Sequence, residues 1–177
     1  GTGTGVTTIS TALSITCAGI TNTGTATIGD AGDNIQIVYD PTPGTDATVS
    51  GDLIQVVTTA GLNAVAGDLV YVANAGGANG PVVALADADA ATTCGAVFLI
   101  TESISAGNAG KALIQGVMRL DSWTWSGANK ALYISTTAGD LTETAPSGTG
   151  EQAQILGHSL TPDIVLFRPS PVLVELQ

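Results

Sequence analysis

The sequence predicts an all-β protein, and three observations carry that prediction. Residues 20–28 alternate strictly, with Thr21, Thr23, Thr25 and Thr27 on one face and Ile20, Asn22, Gly24, Ala26 and Ile28 on the other. Period two with β-branched residues is the pattern of a strand. Clusters of Gly, Asn, Asp and Pro interrupt the apolar runs at short intervals, as turns do. No stretch sustains an i, i+3, i+4, i+7 apolar stripe between capping residues, so helices are not expected.

The elements follow in order. Residues 29–34 read as a turn and 35–39 as the next strand. Residues 40–44 stop it, because Pro41 and Pro43 have no N–H to give a ladder. Residues 52–59, with Leu53, Ile54, Val56 and Val57, form a further strand. Residues 1–60 are thus expected to make a small N-terminal β region, shaft-like or used for attachment. From Gly61 onward longer strands alternate with Ala/Gly loops, and residues 61–177 are expected to fold as a β-barrel or sandwich. Its further strands are read at 95–103, 112–120, 164–167 and 172–176. Segments 63–72 and 84–93 fit a loop or a single helical turn.

An internal repeat with an offset of 62 residues runs through this second region. Leu69, Val70, Tyr71 and Val72 match Ala131, Leu132, Tyr133 and Ile134; Gly77 matches Gly139, Ala91 matches Ala153, and Gly95 matches Gly157. The identities are few, and they point to two related β lobes.

Charge narrows the function. Residues 1–110 hold nine of the fifteen carboxylates and no Lys or Arg; the four basic residues are Lys111, Arg119, Lys130 and Arg168. A net charge of −11 opposes nucleic acid, which needs clustered Lys and Arg, and opposes anionic membrane surfaces. No run of about eighteen apolar residues is present to span a bilayer. The surface has few long flexible side chains and no trypsin site for 110 residues, which suits a durable extracellular or particle-bound part better than a cytosolic enzyme. Large core formers are thin among the alanines, so burial between three copies would stabilise the fold and cover strand edges. Residue 1 is Gly rather than Met, with no basic-then-apolar stretch after it; a processed product, a fragment or the ordered part of a longer chain is expected.

Candidate chemistry is sparse. His158 is the sole histidine, and no Gly-x-Ser-x-Gly elbow accompanies it. Cys17 and Cys94 fit two separate buried thiols or a disulfide, and with one His they cannot make a four-ligand zinc set. Asp30 and Asp33, beside Asn34, offer a Ca²⁺-holding turn, though Asp and Asn favour turns unaided. Asp87 and Asp89 read as loop carboxylates or as ligands of a cation. Glu102, Glu143, Glu151 and Glu175 are scattered, and aromatics are few for a sugar-cleaving cleft. No catalytic residue, cofactor or metal is assigned. Trp123 and Trp125, two apart, are expected on one face of a strand, serving the core, a subunit interface or glycan contact. The Thr21–Thr27 ladder is similar to ice-binding rows, but a single short ladder reads as a solvated strand face.

Several stretches resemble the β-barrel-like domains of tailed-phage virion proteins. They are Gly67-Asp-Leu-Val-Tyr-Val72, Ala84-Leu-Ala-Asp-Ala-Asp-Ala90, Gly95-Ala-Val-Phe98, Ala131-Leu-Tyr-Ile-Ser-Thr-Thr-Ala-Gly-Asp-Leu-Thr-Glu-Thr-Ala-Pro146, Gln154-Ile-Leu-Gly157 and Ile164-Val-Leu-Phe-Arg-Pro-Ser-Pro171, and together they cover roughly residues 60–177. Residues 20–27 look like the shaft of trimeric phage fibres. The resemblance implies a non-enzymatic, trimeric virion component, a capsid decoration (cement) or head-fibre protein that stabilises the shell. Its partners would then be two further copies and the major capsid protein or other virion proteins. The alternative is a tail-fibre or adhesin module binding host glycan. The chain is short for a tail fibre, which favours decoration.

Overall fold

The computed structural model describes residues 38–177 apart from residue 96. The strand read at 20–28, the turn at 29–34 with Asp30 and Asp33, and Cys17 lie outside the described residues. By its internal contacts the chain divides into Gly1–Ile37 and Val38–Gln177.

Val38–Gln177 is built of strands and turns. In chain order the strands are β1 (Val49–Thr58), β2 (Leu69–Gly77), β3 (Gly80–Leu85), β4 (Val97–Ile100), β5 (Ala109–Arg119), β6 (Ala131–Ile134), β7 (Leu141–Thr142), β8 (Gln152–Ala153), β9 (Ile155–Thr161), β10 (Ile164–Phe167) and β11 (Val174–Glu175). Nine of them form one sheet, in the order β1-β3-β2-β4-β5-β10-β9-β6-β7, and β8 pairs separately with β11. All-β is therefore correct. The strand expected at 164–167 is β10 to the residue.

The division expected after residue 60 does not follow the pairing. β1 runs antiparallel to β5 from Val49↔Met118 to Val57↔Ala109, so it belongs with the strands that come after it. β1 also pairs in parallel with β3, through Val57↔Val82 and Thr58↔Val83. The pairings β1-β3-β2-β4-β5 thus return to β1 and make a ring of five strands.

Side-chain alternation fills that ring. Val56, Val70, Val83, Ile100 and Ala112, one from each ring strand, are fully buried in a single cluster. Their neighbours Leu69, Leu99 and Leu113 face the other way, into a second cluster with Leu132, Ile134, Leu156, Val165 and Phe167. One sheet thereby has a core on each side, as period-two strands rich in Val, Leu and Ile allow.

The sheet reads symmetrically outward from β5–β10. On one side lie β4, β2 and β3; on the other lie β9, β6 and β7. Tyr71 on β2 and Tyr133 on β6 hold corresponding places, each in a strand between its hairpin partner and the later strand. The register is not carried over: Tyr71 pairs with Val97, whereas Tyr133 pairs with Ile155, four residues sooner in its own copy. Gly95 accordingly precedes β4, while Gly157 lies within β9.

Two glycines decide how β10 sits. Phe167 is fully buried and lies opposite Gly116 on β5 and Gly157 on β9. Gly116 (φ +144) packs against Gly51 of β1, where a Cβ would stand 2.5 Å from the Gly51 Cα. Gly157 (φ +150) has the Leu166 carbonyl where a Cβ would be. Both positions combine a backbone that side chains rarely adopt with no room for one.

The 40–48 loop is held by Arg119. Its Nε lies 2.7 Å from Asp121 and 3.3 Å from Asp163, and Nη1 reaches the Pro43 carbonyl at 3.5 Å. A bond from the Thr161 hydroxyl, 2.6 Å away, holds the Asp163 carboxyl below the ordinary carboxylate range, with Arg119 adding to the effect.

Two outcomes are expected from this packing. Phe167→Ala, which empties the space between two glycines, destabilises the domain by about 3–5 kcal/mol in denaturant titration. Because Asp163 is depressed, its contribution is present above the unfolded carboxylate pKa and is lost as pH falls through the folded value. The melting temperature of Asp163→Asn therefore falls less steeply with acid than that of the native chain.

Candidate functional site

The segment between β5 and β6 carries both tryptophans. It is not the strand expected from their spacing. Trp123 N–H donates to the Leu120 carbonyl at 3.0 Å and Trp125 N–H to the Pro162 carbonyl at 2.9 Å, so the segment is shaped by a turn and by the β9–β10 hairpin. The rings still meet, with centroids 5.7 Å apart and planes at 43°. Both are partly buried against the second core cluster. The Trp125 indole Nε1–H is buried without a hydrogen-bond partner.

Glu143 fastens this segment to the far edge of the sheet. Its Oε1 accepts from Ser126 N–H at 2.9 Å and from the Ser126 hydroxyl at 3.0 Å. A cleft of about 370 Å³ lies between them, bounded by Trp123, Trp125, Leu141 and Glu143 with Ser122 and Thr124. A second, of about 260 Å³, is bounded by Ser135, Thr136, Pro146, Ser147 and Glu151. Thr142 and Thr144 line both, so the two clefts adjoin at β7 and are together termed the β7 groove. Among the described residues β7 is the last strand of the sheet and bonds only to β6. Glu151 Oε2 accepts from Ser147 N–H at 2.9 Å and Gly148 N–H at 2.7 Å, which shapes the far wall. Among the described residues, neither Glu143 Oε2 nor Glu151 Oε1 has a hydrogen-bond partner.

A second surface is apolar. Phe98, Ile114, Pro169 and Pro171 line a depression of about 280 Å³. It adjoins another of about 330 Å³, bordered by Tyr39, Leu166 and Phe167, through the shared Gln115 and Arg168. Ile114 is 40% exposed, at the register shift where β5 gains a residue against β1. Ile155, Val172 and Val174, on the strand and tail flanking Ser170, are likewise exposed. Arg168 is exposed and makes no ion pair among the described residues.

The other candidates line neither surface. His158 is exposed on β9, opposite Ala131 and Leu166. Cys94 is a free, buried thiol that donates to the Ala90 carbonyl; burial raises its pKa, and Asp87 adds to the rise. Asp87 Oδ1 accepts from Asp89 N–H at 3.1 Å and the Thr93 hydroxyl at 2.7 Å, so it caps its own loop. Glu102 accepts from Lys111 N–H, and Glu175 is exposed on β11. Among the described residues no three His, Cys, Asp or Glu come together as a metal set.

Comparison with known families, curated proteins and solved structures gives no match. The sites therefore stand on their own geometry. Sequence reasoning found the tryptophans, read Glu143 and Glu151 only as scattered carboxylates, and missed Thr142 and Thr144, whose only signal is a cluster of hydroxyl residues after a Gly turn.

Glu143→Ala is expected to free the tryptophan segment, at a cost on the order of 1 kcal/mol, and to red-shift the intrinsic emission. Glu143→Gln keeps an oxygen acceptor and keeps the native spectrum.

Proposed function

We propose that this protein is a non-enzymatic structural component of a tailed-phage particle, a homotrimer that decorates the capsid shell or stands on it as a head fibre. The apolar surface around Ile114 is the observation that carries this reading. An exposed Ile114 beside Phe98, Pro169 and Pro171 makes an apolar depression of the kind that partners cover, and only 11% of the chain is charged. Arg168 sits within that face, and a second copy with net charge −11 supplies carboxylates to meet it. The resemblance of roughly residues 60–177 to phage virion domains supports the particle reading, and the all-β frame suits a mechanical task.

Light scattering at micromolar concentration is expected to give three times the chain mass. Ile114→Lys, at a residue already exposed in one copy, is expected to yield a monomer with unchanged circular dichroism. A native monomer would remove the trimer from the reading. Electron cryo-microscopy of source particles tests the location: copies on the icosahedral shell are expected, and intact particles lacking the chain would end the phage assignment.

A further inference from the structure

We infer that the groove across β7 is a binding site for a neutral oligosaccharide. This goes beyond a structural role and uses none of the residues on which the trimer proposal stands. Four features of the groove carry it.

The first is the aromatic wall. Trp123 and Trp125 stand together at one end, tilted against each other at 43°, and an apolar aromatic surface beside a few polar groups is the usual composition of a small-molecule site. The second is hydroxyl density. Ser122, Thr124, Thr142, Thr144, Ser135 and Ser147 line the groove, and each hydroxyl both donates and accepts, matching sugar hydroxyls that do the same. The third is carboxylate geometry. Glu143 and Glu151 each commit one oxygen to the protein backbone and leave the other to accept from a ligand hydroxyl. The fourth is the open edge: among the described residues β7 has a neighbour on one side only, so its backbone groups on the other side are available.

Charge selects the ligand class. No Lys or Arg lines either part of the groove, and both of its charged residues are glutamates. Phosphate, sulfate and uronate groups are therefore repelled, and neutral sugars fit. A docked apolar peptide would leave the hydroxyls and carboxylates unpaired on burial, so the lining favours a polyhydroxylated ligand over a protein segment.

The chain has two Trp residues in all, and both are in the groove, so intrinsic fluorescence reports on the site directly. The native protein is titrated with maltohexaose, cellohexaose and chitohexaose, and with heparin as the anionic comparison, after screening on an array of neutral and charged glycans. Saturable change in emission with a neutral oligosaccharide, and none with heparin, is expected. Because Trp123 and Trp125 also pack on the core, the test variant is Thr144→Tyr, an exposed position shared by both halves of the groove. It is expected to weaken binding about tenfold or more with melting temperature and oligomer mass unchanged. Absence of any response to neutral glycans, equal binding by Thr144→Tyr, or preference for heparin would each overturn the inference. So would emission that follows protein dilution rather than sugar, which would make the groove a subunit contact.

Discussion

The fold turns on the close approach of β1, β5 and β10 at Gly116. β5 has β1 along its whole length, and on its other side it has β4 near Ala112 and β10 near Gly116. Through β1 and β4 it closes the ring; through β10 it joins the ring to the second lobe. Gly116 and Gly51 face each other with no space for a side chain, and the buried Phe167 lies across the other side of Gly116. A side chain at Gly116 would push β1 away, and with it both the closed ring and the sheet that carries β9, β6 and β7. The groove at β7 is thus positioned by contacts at the centre of the sheet, several strands away.

The acid excess has a structural use in the described region. Seven carboxylates, those of Asp40, Asp46, Asp68, Asp87, Glu102, Glu143 and Glu151, accept from backbone N–H groups, six of them from loops and turns and Glu102 from Lys111 of β5. A domain of many loops has many N–H groups outside its ladders, and each must find an acceptor when shielded from water. Short acidic side chains serve that need locally. Ion pairing is a smaller theme, concentrated at Arg119. Asp68 shows the opposing cost: burial raises its pKa, and Asp140 nearby raises it further, against the bond from Val65 N–H.

How much was legible depended on whether the cause was local. β10 could be read whole because four apolar residues stand between a turn and an Arg-Pro break. β5 was nearly complete for the same reason, losing only the Ala-Gly-Lys at its start. β1 was placed in the wrong unit because what holds it is Met118 and its neighbours, some sixty residues on, and no short-range pattern encodes that pairing. The tryptophans look like a strand by spacing, yet Trp125 takes its backbone partner from Pro162. The groove was half visible: an aromatic pair stands out in any sequence, whereas Thr142 and Thr144 acquire meaning only when the β6–β7 hairpin brings them beside it, and Glu151 only when the turn before β8 sets it on the adjoining cleft.

Ring closure also sets an order of events. β1 cannot find its partner until the chain has been made through residue 119, and its pairing with β5 closes one of the longest loops in the domain. Contacts of such separation form slowly, since loop entropy is lost before the contacts repay it. Once shut, the ring has its longest seam between β1 and β5, nine register pairs, and its shortest between β1 and β3 and between β4 and β5, two pairs each. The ring is therefore expected to breathe at a short seam while β1 stays zipped to β5.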